Sequence, residues 1–442
     1  MSFLDRIFGT GKKVGQPEIA FGRYTDAYKS DAQQAAFDRA LEAFEAGRYL
    51  DSYRDFLRFL KDENTDNIQW HEADGVLHFE FWQGSRRVSG QASAEKVLVQ
   101  SKVAQADDLN VGFLRRLMEY NFNLKFSRFA LDPDNRLCIL FDTFTVDGAP
   151  HKLLQAMREL AIHADKQDDL LLEEFKMLRP AEERTYGDIP EAEKQVKMAY
   201  IRREIQHIFE EIDQGKPDPN QFPGTYAYAL LALAFRLDYL VRPEGFMMDV
   251  MEKIHTTYFS KNSLTPQVKV QQIRKEFQKL LDRPDEAFFR EMYRTRSTFG
   301  INPPVNQGSI TALIEGEMPN MEWPLQQNHT MLAQAVPQYI AGFALFHYAP
   351  PKPVQALLHL FFQISEAPFF RELGFEVPYT DRATGRLDKP AILKAIKAIA
   401  AEHRSAFPAL KPPVEGLDFG SLLLFSKSYM LMIKDLNLNR PE

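Results

Sequence analysis

The sequence predicts an α+β first half followed by an all-α second half. Three observations predict it. Between residues 77 and 145 apolar and polar residues alternate in short runs bounded by turn residues, as in half-buried strands. Those runs follow one another directly, which implies antiparallel pairing with helices packed on the sheet. Beyond residue 193 apolar residues recur every three or four positions, as on helices. With 442 residues the chain is also too long for one ordinary core. The expected division is a flexible amphipathic tip over 1–15, an α+β domain with a leading helical hairpin over 16–178, a linker over 179–193 and an all-α domain over 194–442.

The elements follow in order. Phe3, Leu4, Ile7 and Phe8 share one helical face ahead of a Gly/Lys stretch, a tip able to touch a partner, a membrane or the protein's own surface. Residues 35–60 read as a helical hairpin, with Gly47 closing its first helix. It resembles half of a tetratricopeptide unit, but no copy follows at a fixed period. Leu77 to Phe81 alternates as a strand, with Arg86 to Gln91 as its partner across Gly84-Ser85 and a third strand from Val97 to Val103. Asp107 and Asp108 suit the start of a helix over about 109–120. Lys125 to Leu131 and Arg136 to Thr145 form a hairpin around Asp132-Pro133-Asp134-Asn135, each turn residue restricting or bonding the local backbone. A long helix from about Pro150 to Phe175 presents Leu153, Met157, Leu160, Ala164, Leu171 and Phe175 on one face. The sheet so read has five strands.

Pro180, Gly187 and Pro190 among many charges mark the boundary. Beyond it, Ile201, Ile205, Ile208 and Ile212 form one helical stripe, and Val270, Ile273, Phe277 and Leu280 another. Thr265-Pro266 and Lys389-Pro390 suit helix starts. Residues 300–327 are rich in Pro, Gly and Asn, and read as an irregular segment with a short helix near Thr311 that could line a pocket. Phe343 to Phe370 is aromatic and reads as a helical core broken by prolines.

Composition narrows the function. A formal charge of −7 argues against general nucleic-acid affinity. The single cysteine, Cys138, excludes an internal disulfide and a Cys-based zinc site and fits a reducing cytosol; it reads as a buried structural thiol. The run after Met1 is short and charged, unlike a secretory leader. The most apolar stretch, Phe222 to Val241, contains Arg236 and Asp238 and reads as a buried helix. The expectation is a cytoplasmic protein.

Residues from about Tyr53 to Phe175 carry a resemblance. A helix, Phe113-Leu114-Arg115-Arg116-Leu117-Met118-Glu119-Tyr120, ends at Asn121. A hairpin follows whose first strand, Phe126 to Leu131, ends in the acidic turn at Asp132; then come Arg136 to Phe144 and the long helix. This order resembles the type III secretion chaperone-like superfamily, including YbjN-type bacterial proteins. The resemblance covers less than a third of the chain. It implies a small α+β domain that often dimerises and binds segments of other proteins without turning them over. The large helical half departs from that pattern.

The strand Arg136 to Thr145 places Leu137, Ile139 and Phe141 on one face and Cys138, Leu140 and Phe144 on the other, while Trp82 and Leu98 lie opposite their strands' main apolar sets. A sheet apolar on both faces needs two covers. Trp82, Leu98, Leu140 and Phe144 are therefore the candidate partner-binding residues, the second cover being the helical half, a second copy or an added peptide.

Motifs with chemical content read as chance. Gly9-Thr10-Gly11-Lys12-Lys13 has Arg6 where a phosphate loop needs Gly and Lys13 where it needs Ser or Thr. Ser93-x-x-Lys96 runs into a strand instead of opening a helix. Glu159 and His163 share a helical face but at a spacing of four, not the three of a Glu-x-x-His ligand pair, and Asp165, Asp169 and Glu173 form a row typical of a solvated face. Glu315, Glu317, Glu322 and His329 are the residues an enzyme with a pocket would draw on, a hydrolase-type alternative. His255, His347 and His359 read as packing residues. The expectation is a non-enzymatic protein-binding or chaperone-like module, with no catalytic residue, metal or cofactor; an enzyme and a scaffold subunit are the alternatives.

Overall fold

The structure, a computed structural model, describes residues 17–62, 65–106, 111–175, 177–181, 187–261 and 264–439, without the side chains of 106, 168–170, 173 and 174. The chain forms two compact units. One holds the described residues within 24–188 and 293–301; the other holds those within 17–23, 189–292 and 302–439. The first is α+β and the second helical. The amphipathic tip and the Gly9–Lys13 motif lie outside the described residues.

The α+β unit opens with helices α1 (Asp31–Glu45) and α2 (Tyr49–Leu60). Ser30 caps α1 by accepting the Gln33 N–H while the Gln33 side chain reaches back to the Ser30 N–H, a reciprocal box that fixes the helix start. The strands are β1 (Ile68–Ala73), β2 (Val76–Gln83), β3 (Arg86–Ala92), β4 (Lys96–Ala106), β5 (Arg128–Leu131), β6 (Arg136–Phe144) and β7 (Leu178–Pro180). Helix α3 (Val111–Asn123) precedes β5, and α4 (Pro150–Glu174) follows β6. The described sheet is antiparallel in the order β1-β2-β3-β4-β6-β5, with β7 also pairing β4. It has seven strands in place of the expected five. The two additional strands give weak patterns: β1 is a polar edge strand in which Ile68 alone is fully buried, and β7 has three residues ending in proline.

One face of the sheet carries Phe79, Phe81, Val88, Val99, Ile139 and Phe141, all buried. Helices α2 and α4 cover it with Phe56, Leu57, Met157, Leu160 and Ala164. The β2–β3 turn is held against α4: Asp165 accepts the Ser85 N–H at 2.7 Å, and a Cβ on Gly84 would lie 2.0 Å from that carboxylate. Asp165 thus leaves the solvated row expected of it; the side chains of Asp169 and Glu173 are outside the described set. Residues 293–301 complete this unit. The Gln83 side chain accepts the Phe299 N–H at 3.0 Å and donates to the Phe299 carbonyl at 3.2 Å. Thr298 donates from Oγ1 to the Trp82 carbonyl at 2.9 Å and accepts from the Asn67 amide at 3.2 Å.

The helical unit comprises α5 (Glu191–Gln214), α6 (Pro223–Val241), α7 (Gly245–Phe259), α8 (Pro266–Leu281), α9 (Asp285–Arg290), α10 (Gln307–Glu317), α11 (Glu322–Gln326), α12 (Thr330–His347), α13 (Lys352–Ser365), α14 (Ala367–Glu372), α15 (Lys389–Glu402) and α16 (Leu422–Lys434). The expected stripes on α5 and α8 are buried, and Thr265 caps α8 through its hydroxyl. Residues 300–327 are mainly helical, which corrects the expected irregular segment. Asn306 caps α10, and a 3-10 turn over Met318–Met321 lets Pro319 and Pro324 sit near helix starts. Helix α6 is nearly all buried at the centre of the unit. Phe21, Gly22 and Arg23 meet it at Asp238 and Tyr239. Gly22 donates its N–H to the Tyr239 carbonyl at 2.8 Å, with φ of +68° and Tyr239 Cε2 only 2.7 Å from where a Cβ would stand. Among the described residues no helix is long and apolar enough to cross a membrane.

Candidate functional sites

Two features stand out, one in each unit. The first is helix α3, which is apolar on two sides. Its sequence Val-Gly-Phe-Leu-Arg-Arg-Leu-Met-Glu-Tyr-Asn-Phe-Asn places Phe113, Leu117 and Tyr120 toward the sheet, where Phe113 packs edge-on against Phe175. The residues Val111, Leu114, Met118 and Phe122, spaced by three or four, form a second stripe on another side. That stripe faces out: Val111 is 81% exposed, Met118 72% and Phe122 89%. Arg115 and Arg116 flank it and both lean on Glu119, at 3.7 and 3.3 Å, so among the described residues beside the stripe two cations face one carboxylate.

The placement of α3 is fixed by two polar clamps. Asn121 accepts the Phe129 N–H at 2.6 Å and donates to the Phe129 carbonyl at 3.3 Å, which occupies backbone groups of the edge strand β5. Glu159 on α4 accepts the N–H groups of Lys125, Phe126 and Ser127 and the Ser127 hydroxyl. Burial works to raise the Glu159 pKa, but these donors outweigh it and hold the carboxyl below its ordinary range. Glu159 is thus a loop anchor. Sequence reading weighed it only as a metal ligand beside His163.

The four residues expected to bind a partner occupy the second face of the sheet but not one patch. Trp82 on β2 pairs with Arg87 and lies under the Arg296 guanidinium, 5.5 Å from its ring. Leu98 on β4 faces Asp142, with Leu140 and Phe144 as diagonal neighbours on β6. Trp82, Leu98 and Leu140 are half-buried, and Phe144 is 66% exposed. Lys96 and Arg128 both pair with Asp142 among them, so this face is mixed rather than apolar. Cys138 is buried. Ser93 accepts the Lys96 N–H in a turn, and the Lys96 side chain goes to Asp142.

The second feature is a cavity of about 610 Å³ in the helical unit, between α5, α6, the start of α12 and the end of α13. At one end Arg236 lies between two carboxylates, 2.7 Å from Glu204 and 2.7 Å from Glu366. The Tyr200 hydroxyl and the Gln338 amide also donate to Glu366, at 2.8 and 3.1 Å. Burial raises the Glu366 pKa above the ordinary carboxyl range, against the pull of Arg236. Burial also works to lower the pKa of Arg236, but the carboxylates of Glu366 and Glu204 outweigh it and the guanidinium is held charged. Beside this cluster the Ser365 hydroxyl is buried with no hydrogen-bond partner in the protein.

The cavity's other end holds Lys216, Asn328 and the first turn of α12. His329, at the helix cap, makes no side-chain capping bond. The N–H groups of that first turn therefore lack an intrahelical acceptor and carry the positive end of an 18-residue helix. Ile208, Leu233 and Ala335 form apolar wall between the ends. Of the residues weighed for an enzyme, His329 lines this cavity. Glu315 lies 3.8 Å from Lys434, Glu317 accepts from Tyr228 and Asn320, and Glu322 is exposed. Arg236 and Glu366 gave no sequence signal beyond interrupting apolar runs. His359 is buried against the Tyr239 hydroxyl, and His255 stacks on His347 at 5.6 Å. Among the described residues no group of three or more His, Cys, Asp or Glu could hold a metal ion.

No protein-family model matches the chain, and no curated protein matches it.

Proposed function

We propose that the chain is a non-enzymatic protein-binding module of the chaperone kind, whose α+β unit holds an apolar helical segment of a partner along α3. The carrying observation is the exposed stripe Val111, Leu114, Met118 and Phe122. Four large apolar side chains at helical spacing match the face an amphipathic helix offers to another helix. The clamps from Asn121 and Glu159 support this reading, because they present the stripe on a fixed helix. Asn121 also occupies Phe129 on the β5 edge, which weighs against strand addition there. Arg115 and Arg116 beside the stripe favour a partner helix with acidic residues next to its own stripe. Two copies of this face would set like charges together.

The test is the double substitution Met118→Asp and Phe122→Asp in the full chain. Because both side chains are exposed, the urea midpoint should move by no more than about 0.5 kcal/mol of stability. Binding of an acidic amphipathic helical peptide, measured by fluorescence anisotropy, should be lost. Wild-type protein that ignores such a peptide, or a double variant that still binds it, would sink the reading. Light scattering showing a dimer that the double variant abolishes would replace the peptide partner with a second copy.

A further inference from the structure

The two ends of the helical unit's cavity differ in charge, and that difference selects a ligand. At the inner end Glu204 and Glu366 share Arg236, and Glu204 also faces Arg203, itself shared with Glu372, so three carboxylates meet two guanidiniums there. Glu366 is already served by three donors, whereas Glu204 takes Arg236 on one oxygen and only a long 3.4 Å contact from Arg203 on the other. Carboxylate oxygens accept more than one bond each, so Glu204 keeps capacity for a cationic donor. The buried Ser365 hydroxyl adds a polar group with no protein partner at the same wall. The outer end has the opposite character, with the uncapped start of α12 and the Lys216 ammonium. Gln338 sits eight residues along α12 from Thr330, so the two ends are separated by roughly 12 Å of helix. A free anion is repelled at one end and a simple cation gains nothing at the other.

We propose that this cavity binds a small elongated zwitterion, with an ammonium or guanidinium group at Glu204 and Ser365, an apolar middle against Ile208, Leu233 and Ala335, and a carboxylate at Lys216 and the start of α12. This is a ligand site separate from the α3 face, and it stands or falls without it. The volume, about 610 Å³, suits a molecule of metabolite size. His207 and Glu211 also line the cavity from α5, and Glu211 lies within electrostatic reach of the Tyr226 hydroxyl, which donates to the Pro217 carbonyl beside Lys216.

Calorimetric titration of the full chain tests it with three probes of one length: 6-aminohexanoate, hexylamine and hexanoate, at fixed ionic strength. The expected result is that 6-aminohexanoate binds at least tenfold more tightly than either singly charged probe. Lys216→Met should weaken 6-aminohexanoate several-fold and leave hexylamine unchanged. Glu204→Gln should weaken both amines. Lys216 is exposed, so its variant keeps the fold even if the change at Glu204 loosens the ion cluster. Three probes of equal affinity, no binding by any of them, or a Lys216→Met variant that keeps the full preference for 6-aminohexanoate would overturn the proposal.

Discussion

His359 shows what burial does to one ionisable ring. It is wholly buried on α13, with Nδ1 2.7 Å from the Tyr239 hydroxyl, and burial pulls its pKa down to about 3. The unfolded value is near 6.5, so the folded state prefers the neutral ring. Its contribution to stability is therefore complete above pH 6.5 and is lost as pH falls from 6.5 toward 3. Urea midpoints across that window should decline, and His359→Gln, which cannot charge, should flatten part of the decline. Arg236 makes the converse case. Removing the guanidinium by Arg236→Met leaves two buried carboxylates facing each other. The expected loss is about 3–5 kcal/mol by urea denaturation, far more than a surface pair would give. Neither role could be read from sequence. His359 and Arg236 stand in apolar runs, and which polar atom meets them depends on residues more than a hundred positions away.

At the scale of elements, helix periodicity was legible wherever one face alone met a core. The stripes on α5 and α8 are buried as their spacing implies. Strands were legible where alternation was strong, as in β2, and not where it was weak, as in β1. Residues 300–327 misled because proline near a helix start and proline in a loop give the same local signal. The four sheet residues read as a candidate interface share the second face, but charged neighbours separate them. The stronger apolar surface lay on α3, where a Leu-Met-Phe pattern looks identical whether it points in or out. The structure separates the two sides of that helix and gives a paired prediction. Phe113→Ala, fully buried, should cost about 3–5 kcal/mol of stability. Phe122→Ala, on the outward side, should change the melting midpoint little and affect only association.

At the scale of the whole chain, the order of residues and the membership of units do not coincide. The expected boundary over 179–193 contains one crossing, at 188–189, but the chain also crosses after 23 and on both sides of 293–301. No local pattern announces this, since 293–301 is polar and short. A fragment of residues 24–188 lacks the groups that satisfy the buried Gln83 side chain, whose amide nitrogen and oxygen are otherwise unmet polar groups worth about 1–3 kcal/mol. Such a fragment should melt well below the same unit supplied with a 293–301 peptide, as followed by circular dichroism.

The same arrangement bears on how the molecule is made. The first unit's closing segment leaves the ribosome after the intervening residues 189–292 have been synthesised. At ordinary elongation rates that is a delay of about 5–20 s. For that interval the nascent sheet carries the vacant seats of Thr298 and Phe299, and a trigger of premature self-adhesion exists that the finished protein no longer has.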